Sequence, residues 1–237
     1  MIDDQLAPGR LPAGERIYAI GDVHGCANRL AALHEQIAAH AAAAEPARIT
    51  VLHIGDYVDR GPDSAAVVAR IAGPPPVPGA AMVNLRGNHE AMMLDALTGD
   101  RWAVGQWLGN RGEASLRSWG VDPATRPSTW AAGIPEADRA TLAGLALTHR
   151  AGDYLFVHAG IRPLVPIERQ DPQDLLWIRE PFLSWDEPFG VVVVHGHTPT
   201  PDPEIRANRI GIDTGAVMGG ALTCAVLEGD RVAFLTA

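Results

Sequence analysis

The 237-residue sequence has little of several features that mark other classes of protein. It holds only two cysteines, Cys26 and Cys224, which lie far apart and show no zinc-knuckle or redox spacing. Neither a disulfide framework nor a cysteine metal site is therefore predicted. The longest apolar runs, such as 38–44 and 191–194, fall far short of the roughly 18 residues that a membrane-spanning helix needs. No membrane partner is predicted.

Basic residues are also scarce. The chain has 19 lysines and arginines against 28 aspartates and glutamates, and its formal net charge is -9. This balance argues against a binder of nucleic-acid polymers but not against a small anionic substrate, because one site can be positive in an acidic protein. The start of the chain carries Asp3 and Asp4 and no basic segment followed by an apolar run, so we expect no secretory signal and a cytoplasmic location.

The length suits one large domain or two small ones, and a hydrophobic content of 47% is that of an ordinary globular chain. We predict a single domain of the α/β class over 1–237. Helical patterns at 28–44 and 63–71 separate the first three predicted strands, which indicates a parallel sheet. The turn at 228–230 predicts a hairpin between the last two strands. The predicted strands are 16–20, 49–54, 81–85, 154–157, 191–194, 209–212, 222–227 and 231–235.

The segment between Glu90 and Tyr154 follows a different pattern. It has helical periodicity, notably at 137–148, and holds four of the six tryptophans. We predict a helical insertion over about 92–150 that packs beside the sheet, with the tryptophans in the core. These tryptophans are Trp102, Trp107, Trp119 and Trp130.

Polar clusters follow five of the predicted strands. Ligands of open α/β folds collect outside the carboxyl ends of the strands, so we expect all five clusters to lie at one edge. Their residues occupy 21–25, 55–61, 86–90, 158–160 and 195–198.

The residue types in these clusters suit two divalent metal ions. Mixed carboxylate, amide and imidazole ligands without thiolate favour manganese, iron or zinc over calcium or copper. Asp22 and His24 are two residues apart, so at an extended strand end both side chains should point the same way. Asp56 offers a carboxylate that can bridge two ions.

The five clusters resemble the motifs of the calcineurin-like metallophosphoesterases. Gly-Asp-x-His-Gly, Gly-Asp-x-Val-Asp-Arg-Gly, Gly-Asn-His-Glu, His-Ala-Gly and Gly-His-Thr occur in order between Ala19 and Thr198. The second and third are those of the phosphoprotein-phosphatase branch, and 213–215 with 219–222 is similar to that branch's C-terminal strands. The resemblance implies a two-sheet β-sandwich flanked by helices, in four αββα layers, with the metals at one edge.

The resemblance also implies a ligand set. Asp22, His24 and Asp56 would hold the first metal, and Asp56, Asn88, His158 and His197 the second. Pro199 stands where the wider superfamily often has a further histidine, which agrees with the phosphatase branch. His195 would support or pack. Manganese is the favoured metal, with iron and zinc as alternatives.

The same resemblance assigns the chemistry. A metal-bridging water or hydroxide would attack phosphorus. His89 would protonate the leaving group, and Asp59 would hold His89 charged. Arg60 and Asn88 would bind the phosphate, with Arg179 as the second arginine and Arg162 as the alternative. Arg86 and Glu90 would support the site.

Three functions follow. The favoured one is a two-metal phosphomonoesterase similar to bacterial serine/threonine protein phosphatases, acting on a phosphoprotein, phosphopeptide or small phosphate ester. The alternative is a symmetrical dinucleoside tetraphosphate hydrolase or another nucleotide phosphohydrolase, because such enzymes share the same metal motifs. A catalytically silent binding module is disfavoured, since no proposed ligand is missing.

Overall fold

The computed structural model describes residues 4–45 and 47–237, so the predicted acidic start at Asp3 lies outside it. Eleven strands in the described ranges form two mixed sheets. Sheet one contains β1 (Gln5–Leu6), β2 (Glu15–Ile20), β3 (Arg48–His53), β4 (Ala81–Asn84), β10 (Thr223–Glu228) and β11 (Arg231–Thr236). Sheet two contains β5 (Thr148–Ala151), β6 (Tyr154–Val157), β7 (Val192–His195), β8 (Glu204–Ile205) and β9 (Arg209–Gly211).

Each sheet has a parallel centre and antiparallel margins. In sheet one the order is β1-β11-β10-β2-β3-β4, with β2, β3 and β4 parallel. In sheet two the order is β5-β6-β7-β9-β8, with β6, β7 and β9 parallel. The predicted parallel unit and the hairpin of β10 and β11 are confirmed.

Alternation along the strands places one core between the sheets and one on each outer side. In β2, Ile17 and Ala19 face the second sheet, whereas Tyr18 and Ile20 pack under the helices. This period of two is what a strand buried on both faces requires. The layered sandwich implied by the resemblance is therefore confirmed.

Two helices cover the outer side of sheet one, and further short helices follow β4. The helix of 27–43 begins within one residue of its predicted start, and Asp63 caps the next helix by accepting a hydrogen bond from Ala66 N at 3.2 Å. The helices are α1 (Ala27–Ala43), α2 (Ser64–Ala72), α3 (Asn88–Ala96), α4 (Arg101–Gly109), α5 (Glu113–Ser118), α6 (Trp130–Gly133), α7 (Glu136–Ala143) and α8 (Pro172–Trp177).

Two expectations for this region are wrong. The helix predicted to reach Thr148 ends at Ala143, because Gly144 stops it and Thr148 opens β5. Trp102 is 73% exposed and not in the core, whereas Trp107 and Trp130 are buried as predicted. Within the described residues, no helix combines the length and hydrophobicity needed to cross a bilayer.

Candidate metal centre and phosphate cleft

The five predicted clusters meet at the carboxyl edge that the two sheets share. Sheet one brings Asp22, Asp56 and Asn88 there, just after β2, β3 and β4. Sheet two brings His158 and His197, just after β6 and β7. All five side chains are buried, although they come from segments far apart in the sequence.

One group of potential metal ligands contains His24, Asp56 and His89, whose ligand atoms all lie within 4.8 Å of one another. His24 Nε2 is 3.3 Å from Asp56 Oδ2. His24 Nδ1 lies 2.8 Å from the Val58 carbonyl oxygen and must donate to it, so the lone pair sits on Nε2 and faces the carboxylate. Arg60 lies 2.9 Å from the same nitrogen, so a cation would take this lone pair in place of the guanidinium.

A second group contains Asp56, His158 and His197, again within 4.8 Å. His158 Nδ1 donates to the Ile54 carbonyl at 3.0 Å, which leaves the lone pair of Nε2 only 2.9 Å from Asn88 Oδ1. Two lone pairs this close, with no proton between them, repel each other. A bound cation would remove this repulsion. Oxygen and imidazole donors fit a divalent metal of the manganese, iron or zinc type.

Asp22 lies beside these groups and not among them. Its carboxylate accepts from His197 N at 3.1 Å, and burial together with Asp213 and Asp56 raises the pKa of Asp22 well above its usual range. A crowd of buried carboxylates is a local excess of negative charge that a divalent cation would relieve. Sequence reasoning missed Asp213 as a site residue, although it follows β9 just as the ligands follow their strands.

Electrostatics keep the imidazoles ready to bind a cation. Burial lowers the pKa of His24 and of His197 to about 3, so both rings are neutral near pH 7. Burial also acts on Asp56, but the surrounding histidines hold the pKa of this carboxyl below its usual range. Neutral imidazole and ionised carboxylate are the forms in which these residues bind metals.

The backbone at the centre is left-handed at several non-glycine residues. His24 has φ 44°, so the expected extended strand end at Asp22 and His24 is wrong, and a turn presents the two side chains instead. Asp56, Asp59, Arg60 and His197 also have positive φ, between 52° and 72°. Such conformations are costly for residues with a Cβ and cluster at functional sites.

Two glycines are required by the carboxylates beside them. A Cβ at Gly87 would stand 2.1 Å from Asp56 Oδ1, and a Cβ at Gly196 would stand 2.1 Å from Asp22 Oδ1. No side chain fits at either position. This explains why a glycine precedes both Asn88 and His197.

Glu90 fixes the loop that carries Asp56. Its carboxylate accepts from the backbone amides of Asp56, Tyr57 and Gly87 at 2.7–2.9 Å. Burial and the nearby Asp56 raise the pKa of Glu90 to about 7. Arg86, also predicted as a support, instead donates to the Ala143 carbonyl at 2.6 Å.

His89 is held by a buried network that reaches into the helical segment. Its Nδ1 lies 2.7 Å from Asp59 Oδ2, and Asp59 also accepts from Trp107 Nε1 at 2.8 Å and from Ser115 Oγ at 2.6 Å. Burial lowers the pKa of His89, but Asp56 and Asp59 outweigh this effect and raise it above its usual value. Sequence reasoning assigned Trp107 to packing alone and missed the hydrogen bond of its indole N–H.

Arginines line the cleft above the centre, which has a volume of about 550 Å³. Arg60 and Arg179 both line it, as does Arg111, which the sequence analysis did not single out. Arg60 reaches His24 Nε2 at 2.9 Å and His89 Nε2 at 3.0 Å. Arg162, the predicted alternative to Arg179, instead donates hydrogen bonds to both carboxylate oxygens of Asp174 at 2.6 Å.

His195 lies behind the centre. Its Nδ1 is 3.1 Å from the Gly196 carbonyl, and its ring meets Phe182 edge-on with centroids 5.0 Å apart. Within the described residues it joins neither ligand group, which agrees with a supporting or packing role.

The chain is similar to several known proteins. The model of the calcineurin-like phosphoesterase family matches residues 15–230. The chain is 28% identical to serine/threonine-protein phosphatase 1 of Salmonella typhimurium, over 90% of this chain and 92% of that protein. It is 34% identical to a symmetrical bis(5'-nucleosyl)-tetraphosphatase of Methylococcus capsulatus, over 62% of this chain but only 44% of that one. A crystal structure provisionally described as a diadenosine tetraphosphatase shares the fold, with a TM-score of 0.67, 23% identity and coverage of 97% and 98%.

Proposed function

The chain belongs to the calcineurin-like phosphoesterase family, and from this premise we propose that it hydrolyses phosphate monoesters at the centre described above, as a serine/threonine-type protein phosphatase. The observation that carries the proposal is the convergence of two ligand groups on Asp56, directly below a cleft lined with arginine. Metal-dependent hydrolysis of phosphate esters is the activity of the family. Its assignment to phosphoproteins is our proposal.

Two divalent cations would be held by this edge of the sandwich. We assign the first to Asp22, His24 and Asp56, and the second to Asp56, Asn88, His158 and His197. When bound, such cations lower the pKa of water and polarise phosphoryl oxygens. Manganese is our preferred metal, with iron and zinc as alternatives, since the oxygen and imidazole donors suit all three.

His89 is our candidate for the residue that gives a proton to the leaving group. Asp59 fixes the ring by accepting from Nδ1 at 2.7 Å, which directs Nε2 toward the cleft. In a neutral His89, Nε2 accepts from Arg60 at 3.0 Å. Once Nε2 carries a proton it can only donate, so the guanidinium must turn to another acceptor, such as a phosphoryl oxygen.

Arg60 and Arg179 are proposed to bind the reacting phosphoryl group together with Asn88. A guanidinium presents two parallel donors that match two phosphate oxygens, and it keeps its charge throughout the reaction. Donors fixed where negative charge develops lower the barrier more than they strengthen substrate binding.

The end-to-end match with the Salmonella phosphatase supports the phosphoprotein assignment, because that protein has nearly the same length as this chain. A dinucleoside polyphosphate is the second candidate. It is supported by the tetraphosphatase of Methylococcus capsulatus and by the number of arginines in the cleft. A cytoplasmic location stays a prediction.

The metal assignment is tested with the Asp56→Asn variant. We expect it to lose bound metal and manganese-dependent hydrolysis of p-nitrophenyl phosphate, because Asp56 belongs to both ligand groups. Metal content is read by elemental analysis and activity by nitrophenolate release. Asp186→Asn, which removes an exposed carboxylate, is the matched control. Full activity of Asp56→Asn would refute the assignment.

The substrate class is tested by product analysis with the metal-loaded protein. A phosphoprotein phosphatase releases inorganic phosphate from a phosphoserine peptide, whereas a symmetrical hydrolase releases ADP from diadenosine tetraphosphate. The ratio of the two kcat/KM values decides between the candidates. A ratio that favours ADP release by more than about 10-fold, or about 1.4 kcal/mol, would transfer the assignment to the dinucleotide.

A further inference from the structure

The left-handed residues of the chain point to one side chain that the proposed mechanism does not use. Seven non-glycine residues of the described ranges have positive φ. Five of them, His24, Asp56, Asp59, Arg60 and His197, are predicted site residues, and Leu164 does not line the cleft. The seventh is Arg111, with φ 67°. A long side chain at a strained position beside an active cleft indicates a function for that side chain.

Arg111 occupies the turn between α4 and α5, and the turn is tied to the catalytic network. Its amide donates to the Leu108 carbonyl at 3.1 Å, and its carbonyl accepts from the Arg60 amide at 3.4 Å. The next amide, of Gly112, donates to the Trp107 carbonyl at 3.0 Å. The backbone of Arg111 is therefore fixed relative to Arg60 and to Trp107, which donates to Asp59.

The guanidinium of Arg111 is exposed and lines the same cleft as Arg60 and Arg179. Among the described residues, none of these three arginines forms a salt bridge. Three arginines without a salt-bridge partner, in a protein with a net charge of -9, gather positive charge at this one opening. Such a cleft attracts a ligand that carries several negative charges.

A single phosphoryl group does not need three guanidinium groups. The proposed mechanism satisfies its oxygens with Arg60, Arg179 and the metal centre, so Arg111 is left for a different anion. The cleft also holds an apolar surface, with Pro199 and the 63% exposed Met218. A volume of about 550 Å³ with cationic and apolar walls suits a nucleotide-sized ligand better than a folded protein surface.

We propose that Arg111 binds a phosphoryl group beyond the reacting one and thereby selects substrates with contiguous phosphates, of the nucleoside polyphosphate class, over single phosphate monoesters. The inference rests on the phosphoester hydrolysis proposed for the same cleft, and of the two candidate substrates it favours the dinucleoside polyphosphate over the phosphoprotein. It assigns Arg111 to specificity and leaves the reacting atoms to His89, Arg60 and the metal ligands.

The test compares two substrates in the Arg111→Gln variant of the full, manganese-loaded chain. We expect kcat/KM for diadenosine tetraphosphate, divided by kcat/KM for p-nitrophenyl phosphate, to fall about 10-fold, mainly through KM, since one charge-assisted contact is lost. Arg111→Gly should give the same result, because glycine adopts φ 67° without strain. The control Arg117→Gln removes an exposed arginine of α5 outside the cleft and should keep the ratio.

Calorimetric binding of inorganic tripolyphosphate and of inorganic phosphate to the metal-loaded protein provides a readout that does not depend on turnover. Arg111→Gln should weaken tripolyphosphate about 10-fold more than it weakens phosphate. Equal weakening of the two anions, or an unchanged substrate ratio, would overturn the inference. So would a larger loss on a phosphopeptide with acidic neighbours than on the dinucleotide. Absence of hydrolysis with normal tripolyphosphate discrimination would instead count against the proposed function alone.

Discussion

The metal-binding edge and the turn that carries Arg111 face the same cleft but are built differently. The edge consists of buried residues placed by strand ends, with Asp56 only 2% and Asn88 only 2% exposed. The turn between α4 and α5 carries an exposed arginine, Arg111, at the wall of the cleft. The edge provides the chemistry of the family, whereas the turn can vary without disturbing the sheets. Substrate choice is therefore expected to reside in the helical segment.

After Asp56→Asn, the largest effect within the edge is expected for His89→Asn. Loss of the proton donor should lower kcat by about 10²- to 10⁴-fold on an unactivated alkyl phosphate. The loss should be much smaller on p-nitrophenyl phosphate, whose leaving group needs no proton, and bound metal should be retained. Steady-state kinetics on both esters measure the difference. Equal losses on both would exclude His89 as the acid.

Replacing Gly87 by alanine should disturb the edge by sterics alone. The new Cβ would stand 2.1 Å from Asp56 Oδ1 and 2.4 Å from Asp56 N, so the carboxylate must move. We expect a loss of about 3 kcal/mol in the free energy of unfolding, together with weaker metal binding. Gly105→Ala in α4 meets no atom within 4 Å and should instead stabilise by about 0.5–1 kcal/mol. Urea denaturation of both variants gives the contrast, and similar values for the two would refute it.

Trp107→Phe probes the link between the two regions. It removes the indole N–H that donates to buried Asp59, which should cost about 2–3 kcal/mol and lower activity on unactivated esters. Trp130→Phe is a close control, because Trp130 is equally buried but its Nε1 has no hydrogen-bond partner among the described residues. We expect Trp130→Phe to lower the melting temperature and to spare kcat. If both variants lose the same fraction of kcat, Trp107 acts by packing only.

The smallest effect of a single residue concerns pH and a buried histidine pair, His34 of α1 and His53 of β3. Burial lowers the pKa of His34 to about 4 and of His53 to about 3, and the two Nε2 atoms lie 3.0 Å apart. In the unfolded chain both histidines bind protons below about pH 6.5. In the folded chain they do so only at a much lower pH. Stability present near neutral pH should fall by about 2 kcal/mol for each of the two histidines by about pH 5.

Urea denaturation at several pH values measures this loss. His34→Gln should show a shallower dependence on pH than the parent chain. His149→Gln removes a less buried histidine whose pKa is also lowered by burial, so it is the comparison and should change the slope less than His34→Gln does. A slope unaffected by His34→Gln would assign the acid sensitivity to other groups.

Much of the metal-binding edge could be predicted because each polar cluster directly follows a strand in the sequence. Each predicted strand begins and ends within about one residue of an observed one, and the polar residue after it reaches the shared edge. The strands β1, β5 and β8 were missed, since they are only two to four residues long and lie at or near sheet margins. Trp102 and Trp107 have the same residue type on the same helix, yet one is exposed and the other buried. Periodicity in a short helix does not fix which side faces the core.

The turns were the least predictable part of the site. Left-handed backbone at His24 and Arg111 has no sequence signal of its own, because neither is glycine or asparagine. The hydrogen bonds from Trp107 and Ser115 to Asp59 join residues 48 and 56 positions apart. Such pairing depends on how the helical segment docks. The pattern of residues in that segment does not determine the docking.

The ligand group of Asp56, His158 and His197 draws on both sheets, the first residue from one and the two histidines from the other. A cation bound to this group would contact residues from both sheets. Its binding free energy would therefore add to the stability of the folded sandwich. Chelation should then loosen the whole molecule and not the cleft alone. The availability of metal would then affect the folding stability of the protein as well as its activity.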